Sequence, residues 1–151
     1  MKEIYQRDSC TCYILEDGDE ESKEEFFQIR KENWGDKDKD EKDENAIFVV
    51  VVRESGVVGG FRVTEEGDTP PQVARFCTKP GLYRAVSLEV ILTLFAGILR
   101  YFDSVGTPEA CLNIDTNTSL LKLLIRIGFR FVKRETGTVL DIPTTMQFIR
   151  I

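Results

Sequence analysis

Two kinds of apolar pattern alternate along this chain. Residues 46–52 (AIFVVVV) and 56–64 (GVVGGFRVT) are β-branched runs joined by Arg53-Glu54-Ser55-Gly56. A short turn containing glycine between two such runs predicts a hairpin. The first run has no polar alternation, as in a strand covered on both faces. Gly59-Gly60 inside the second implies a bulge or a close approach of backbone. Residues 72–77 (QVARFC) predict a further strand, antiparallel to its neighbour. Residues 87–103 (SLEVILTLFAGILRYFD) predict a long apolar helix with one narrow polar stripe: Glu89, Thr93, Gly97, Arg100 and Ser104. Such a helix packs against a sheet.

The flanking segments complete the order. Residues 4–15 predict a first strand and 16–20 a turn. Ser22 with Glu25 forms a candidate capping box for a helix over 23–34. That helix brings Phe26, Phe27, Ile29, Arg30 and Trp34 near one another. Residues 35–45 (GDKDKDEKDEN) have no apolar period and predict a solvated loop, a place for a substrate lid. Residues 110–115 predict a strand parallel to 72–77, reached by a right-handed crossover. A second helix over 117–127, stopped by Gly128, and strands over 129–133 and 139–151 close the chain. The expected class is α/β (α+β) in one domain over 1–151. Its sheet is mixed and mostly antiparallel, with helices on both faces and one parallel strand pair.

Composition narrows the function. The 151 residues carry a net charge of −6 and no histidine. The missing histidine removes Ser-His-Asp and Cys-His nucleophile systems, histidine zinc sites and histidine proton shuttles. The four cysteines (Cys10, Cys12, Cys77 and Cys111) contain no Cys-x-x-Cys pair and read as structural thiols, so no metal site is expected. Residues 17–45 hold 13 acids and 6 bases, whereas residues 75–151 hold 10 bases and 6 acids. The second half can therefore attract an anionic ligand or an acidic partner. Nucleic acid is a poor candidate without a dense basic run. No leader-like start opens the chain, and the longest apolar run of its first half is too short to cross a bilayer. The expectation is a soluble, cytoplasmic protein with no membrane partner.

The candidate chemistry centres on residues 71–103. A strand feeding a helix through a glycine turn aims free N–H groups and the positive helix end outward, an arrangement suited to phosphate. Lys79 and Arg84 add charge beside Gly81. Arg75 lies in an apolar strand and needs a carboxylate there; Asp40, Asp43 and Asp115 are the candidates. A network of Arg30, Asp40, Asp43, Arg62 and Arg75 can shape a pocket for an amine or serve structure alone. Asp115, at a strand end, is a candidate proton acceptor or a helix cap. Trp34 is either a pocket wall or part of the core.

The order of elements resembles the GNAT acyltransferase superfamily, most visibly at residues 115–132 (DTNTSLLKLLIRIGFRFV), where an Asn-containing turn leads a helix into Gly-Phe. A narrower likeness is to the acyl-homoserine-lactone synthases and related N-acyl amino acid synthases. Arg30 and Trp34 on the first helix match it. So do Asp40-Glu41-Lys42-Asp43, then Gly59-Gly60-Phe61-Arg62, then Gln72-Val73-Ala74-Arg75-Phe76. The synthases have glutamate where this chain has Gln72, which cannot take a proton, and their phosphate-loop pattern is not matched here.

The resemblance implies a splayed parallel pair holding a pantetheine arm, with acyl-CoA or an acyl-phosphopantetheine carrier protein as donor and a small-molecule amine as acceptor. It implies catalytic roles for Arg75, Gln72 and Asp115, and substrate contacts at Arg30, Trp34, Asp40, Asp43 and Arg62. Donor contacts fall on Phe76, Cys77, Lys79, Gly81, Leu82, Arg84 and Asn117. Three activities follow: acyl transfer of the autoinducer-synthase kind, acetyl-CoA-dependent acetylation of an amine, or ligand binding without turnover.

Overall fold

A computed structural model of the chain describes residues 1–65, 67, 71–107, 109–113, 126, 130–133 and 143–147. In chain order the elements are β1 (Lys2–Arg7), β2 (Cys10–Ile14), α1 (Glu20–Trp34), β3 (Ile47–Arg53), β4 (Gly56–Thr64) and β5 (Gln72–Thr78). They continue with α2 (Arg84–Ser104), β6 (Glu109–Asn113), β7 (Arg130–Lys133) and β8 (Pro143–Gln147). Two short 3-10 turns, Asp36–Asp38 and Glu41–Glu44, lie between α1 and β3. The strands form one sheet in the order β1-β2-β3-β4-β5-β6-β8-β7. Among the described residues only the β5–β6 pair is parallel, and the other neighbouring pairs are antiparallel.

The hairpin of β3 and β4 is the centre of the core. Phe48, Val49, Val50 and Val51 are all buried in succession, so β3 is covered on both faces as its unbroken apolar run predicts. Val49 and Val51 pack with Leu94, Phe95 and Ile98 of α2. Phe48 and Val50 pack with Phe26 and Ile29 of α1. The two helices therefore lie on opposite faces of the sheet.

The glycine pair in β4 is a place of close approach. A Cβ at Gly60 would lie 2.7 Å from both the Phe26 ring and the Val49 carbonyl oxygen. Gly60→Ala is expected to lower stability by about 1–3 kcal/mol, because the clash with backbone cannot be relieved by a rotamer change. Chemical denaturation of the two proteins measures it.

Helix α2 is 21 residues long with a window of mean hydropathy 1.7, long and apolar enough to cross a membrane. It packs as a core helix instead, burying Val90, Leu94, Phe95, Ile98, Tyr101 and Phe102. Its polar stripe faces the β1–β2 hairpin. Thr93 is fully buried and donates its hydroxyl to the Glu89 carbonyl at 2.8 Å. A Cβ at Gly97 would meet Cys12 Sγ at 2.5 Å, so glycine is what lets α2 seat there.

Three expected boundaries change. The single strand over 4–15 is a hairpin that turns at Asp8-Ser9, with Asp8 at φ +49. Aspartate enters the left-handed region more readily than most residues, so the turn forms without a glycine to mark it. The capping box of Ser22 and Glu25 does not form. Helix α1 starts one turn earlier with Asp19 as its cap residue, and Glu25 accepts the Val57 N–H at 3.0 Å. Helix α2 begins at Arg84, so Arg84 belongs to its first turn and not to the connection before it. The expected helix over 117–127 lies outside the described residues except for Arg126, which is helical and exposed.

Candidate active site

Among the described residues the parallel strands β5 and β6 pair at Gln72–Cys111 and Val73–Leu112. Beyond that point β5 continues through Thr78 with no partner in β6 among the described residues. The other edge of β5 is interrupted at the same place. Gly60 faces Cys77 and Arg62 faces Ala74, so Arg75 and Phe76 together oppose Phe61. This is a β-bulge, which leaves an extra residue unpaired and turns its amides away from the ladder. Arg75 sits at φ +57, a left-handed conformation that costs a residue with a Cβ roughly 1–2 kcal/mol. Backbone groups are thereby freed on the β4 edge of β5.

Beyond the bulge, β5 leads to the start of α2. The cap residue Tyr83 makes no side-chain hydrogen bond to the helix end, and no acidic residue stands in the first turn. The first N–H groups and the positive helix end are therefore uncompensated. Gly81 turns the chain at φ +84. Lys79, Gly81, Tyr83 and Arg84 are exposed around it, and Leu82 packs inward on the core. Among the described residues neither Lys79 nor Arg84 has a carboxylate partner.

Next to the bulge, three arginines and three aspartates close into a ring of alternating charge. Arg30 is fully buried; its Nη1 and Nη2 donate to Asp43 at 2.8 and 3.0 Å, and its Nε donates to Asp38. Arg62 donates to Asp43 at 2.9 Å and to both oxygens of Asp40 at 2.7 and 3.2 Å. Arg75 donates through Nη2 to Asp40 at 3.2 Å and to the Asp38 carbonyl at 3.1 Å. Its Nε lies 2.6 Å from Asp38 Oδ1, an ion contact whose geometry falls outside a hydrogen bond. Each aspartate thus serves two arginines. The six charges cancel, which lets them sit at the edge of an apolar core. Arg30 also stands 4.8 Å over the Phe27 ring.

Local sequence explains the inward turn of this segment. Asp40 caps the second 3-10 turn by accepting the Lys42 N–H at 3.1 Å, and Asp43 accepts the Asp40 N–H at 3.0 Å. The two carboxylates are thereby aimed at Arg62 and Arg30. The expected solvated loop over 35–45 is corrected on this point. Asp38, Asp40 and Asp43 are drawn inward because the buried guanidinium groups require counter-charge, and Asp43 is only 4% exposed.

Burial pushes the Asp43 carboxyl up, and the hydrogen bonds from Arg30, the Asp40 backbone and Arg62 outweigh it, leaving it below the ordinary carboxylate range. Asp40 is also lowered, chiefly by Arg62. Both groups bind protons less readily folded than unfolded. Their stabilisation is therefore complete above the unfolded value of about 4 and is lost as pH falls through the depressed folded values. The expected urea midpoint is flat from pH 7 to about pH 5 and drops below about pH 4. Asp43→Asn should lower the midpoint at neutral pH and flatten the acid limb, as read by urea titrations across that range.

The structure brings Arg30, Asp40, Asp43, Arg62 and Arg75 together as the sequence suggests, with Asp38 added. Asp38 was the missed member, and charge balance was the available signal: three arginines facing two aspartates leave one positive charge over. Gln72 is the first residue of β5, half-buried beside Thr64 of β4 and Cys111 of β6. Phe76 turns into the core and stacks on Phe95 at 4.8 Å. Cys77 is buried on the α1 face, and burial pushes its thiol up to about 12. Trp34 is 49% exposed at the end of α1 and so lies outside the core. Asp115 and Asn117 lie outside the described residues. Among those described, no group of three or more His, Cys, Asp or Glu side chains is placed to hold a metal ion.

No family model and no curated protein matches the chain by sequence. Solved structures match its fold over nearly their whole length. An acyl-CoA N-acyltransferase from Pseudomonas aeruginosa superposes with a TM-score of 0.67 at 15% identity, over 91% of this chain and 97% of that one. A GNAT family acetyltransferase from Elizabethkingia anophelis, solved with acetyl-CoA bound, gives 0.67 at 10% identity over 94% and 100%. The aminoglycoside 6'-N-acetyltransferase from Enterococcus faecium gives 0.64 at 14% identity over 89% and 94%. The mixed sheet with its parallel β5–β6 pair and the helices α1 and α2 on its two faces thus share the fold of these acyl- and acetyltransferases.

Proposed function

We propose that this protein transfers an acyl group from an acyl thioester of coenzyme A to the amine of a small molecule. The observation that carries this reading is the bulge in β5, beside the parallel β5–β6 pair and leading to an uncapped helix start. A pantetheine arm is an extended chain bearing amides. It can pair with the edge of β5 as an added strand does. The start of α2, with Lys79 and Arg84, faces the pyrophosphate. The thioester then reaches the bulge, where freed N–H groups can stabilise negative charge on its carbonyl oxygen.

The acceptor enters at the exposed edge of the charged ring. Asp40 is the most open aspartate there, 35% exposed, beside Arg75 at 31%. Its lowered carboxyl is a poor proton acceptor and a good anchor for an ammonium group. Gln72 holds position without taking a proton, so the amine loses its proton to water before attack. Nitrogen bonds to the thioester carbon, the C–S bond breaks, and the thiolate leaves as the free thiol after protonation. The thioester is already activated, so placement and charge stabilisation suffice.

A narrower reading has one specific support. Of the residues that carry the likeness to autoinducer synthases, Arg30, Asp40, Asp43, Arg62 and Arg75 meet in a single cluster. That favours a longer acyl donor, on coenzyme A or on a carrier protein. Thiol release measured with acetyl-CoA, long-chain acyl-CoA and acyl-carrier-protein thioesters against an amine panel separates the readings. Release from acetyl-CoA alone supports plain acetylation, and release from long-chain thioesters supports the synthase kind. Saturable binding of coenzyme A without release from any pair would sink both and leave a binding module.

A further inference from the structure

We propose that Asp38 is a positioning residue that holds Arg75 in its left-handed conformation and so maintains the bulge in β5. The consequence for turnover rests on the acyl-transfer reading above; the conformational claim does not.

Among the described residues, four that are not glycine have positive φ: Asp8, Glu54, Ser55 and Arg75. The first three lie in the two-residue turns of the β1–β2 and β3–β4 hairpins, where such conformations are routine. Arg75 alone lies inside a strand. A residue in that region persists only when its surroundings over-determine it. Its backbone gives no help, because the bulge interrupts the β4–β5 ladder there. The hold must come through the side chain.

Asp38 is best placed to supply it. Its carboxylate lies 2.6 Å from Arg75 Nε, and its carbonyl accepts from Arg75 Nη2 at 3.1 Å. Its other oxygen accepts from Arg30, which is fully buried and held by both oxygens of Asp43. Asp38 itself is 6% exposed in its side chain. Arg75 is thereby tied, through one residue, to the most enclosed point of the ring. Its other partner, Asp40, stands at 3.2 Å and is 35% exposed, a looser tie.

The test uses Asp38→Asn, which keeps the shape and removes the charge, alone and in an Arg75→Gly background. Glycine takes positive φ unaided. In the wild-type background the substitution should lower kcat for thiol release from acetyl-CoA, with the best amine of the panel, on the order of 10–100-fold. KM for acetyl-CoA should move little, since the arm binds elsewhere along β5 and α2. In the Arg75→Gly background the same substitution should change kcat by less than about threefold. An equal loss in both backgrounds would overturn the proposal, because Asp38 would then act through Arg30 and the general fold.

A second readout needs no turnover. The NH–Hα nuclear Overhauser effect within residue 75 is strong only at positive φ. It should weaken in Asp38→Asn. An unchanged effect in Asp38→Asn also overturns the proposal. Should Asp38→Asn fail to fold, Arg75→Lys keeps Asp38 on Arg30 while removing the Nε contact, and the same signal at residue 75 decides. If wild-type protein releases no thiol from any pair, the acyl-transfer reading falls and this signal judges the role of Asp38 independently.

Discussion

Arg30→Ala is expected to lower the unfolding free energy by about 3–5 kcal/mol. Arg30 is fully buried and balances Asp43 and Asp38 together. Removing it leaves two enclosed carboxylates facing one another without the charge between them. The loss is a large share of the roughly 5–15 kcal/mol that holds a domain of this size. Lysine does not rescue it, since one ammonium cannot reproduce a guanidinium that binds Asp43 with two nitrogens and Asp38 with a third. Arg30→Lys should therefore fall between wild type and alanine. Trp34→Ala, at an exposed helix end, should change stability by about 0.5 kcal/mol or less. Guanidinium denaturation of the three variants checks this ranking, and equal midpoints for Arg30→Ala and Trp34→Ala would show that the ring bears no stability.

Arg75→Ala is expected to reduce turnover on the order of 100-fold while the protein remains folded. Two losses combine. The positive charge at the open edge of the ring disappears, which frees Asp40 to shift. The backbone at residue 75 is also released from its left-handed state, because alanine is strained there and has no side chain to be held. Arg75→Gly separates the two by restoring the backbone without the charge, and it should retain more activity than Arg75→Ala. Stopped assays of thiol release, run with circular dichroism to confirm folding, measure both. Wild-type rates in a folded Arg75→Ala would remove the bulge and the ring edge from the site.

Much of the site could be read from residue order because its chemistry is arranged along one strand and one turn. Gln72, Arg75, Lys79, Gly81 and Arg84 are close in sequence, and a strand feeding a helix places them along one line. The five charged residues of the ring were also legible, since an arginine in an apolar strand demands a carboxylate. The segment over 35–45 was not. Its string of acids and lysines carries no periodicity, and periodicity is what distinguishes buried from exposed positions along a chain. Asp38, Asp40 and Asp43 turn inward while Asp36, Glu41 and Glu44 stay exposed. That choice follows from where Arg30 and Arg62 sit after the strands have assembled.

The apolar run of β3, the paired glycines of β4 and the long apolar α2 settle the sheet, its two covered faces and its helix partners before any contact is known, because burial and backbone clearance are properties of residue type. Which strand takes the bulge and how three arginines share three aspartates are decided only when the sheet closes. Those outcomes depend on distances between residues more than thirty positions apart, such as Arg75 and Asp40. No local preference encodes them. Charge compensation in a low-dielectric interior is a condition on the assembled group, and it is satisfied or broken only as a whole.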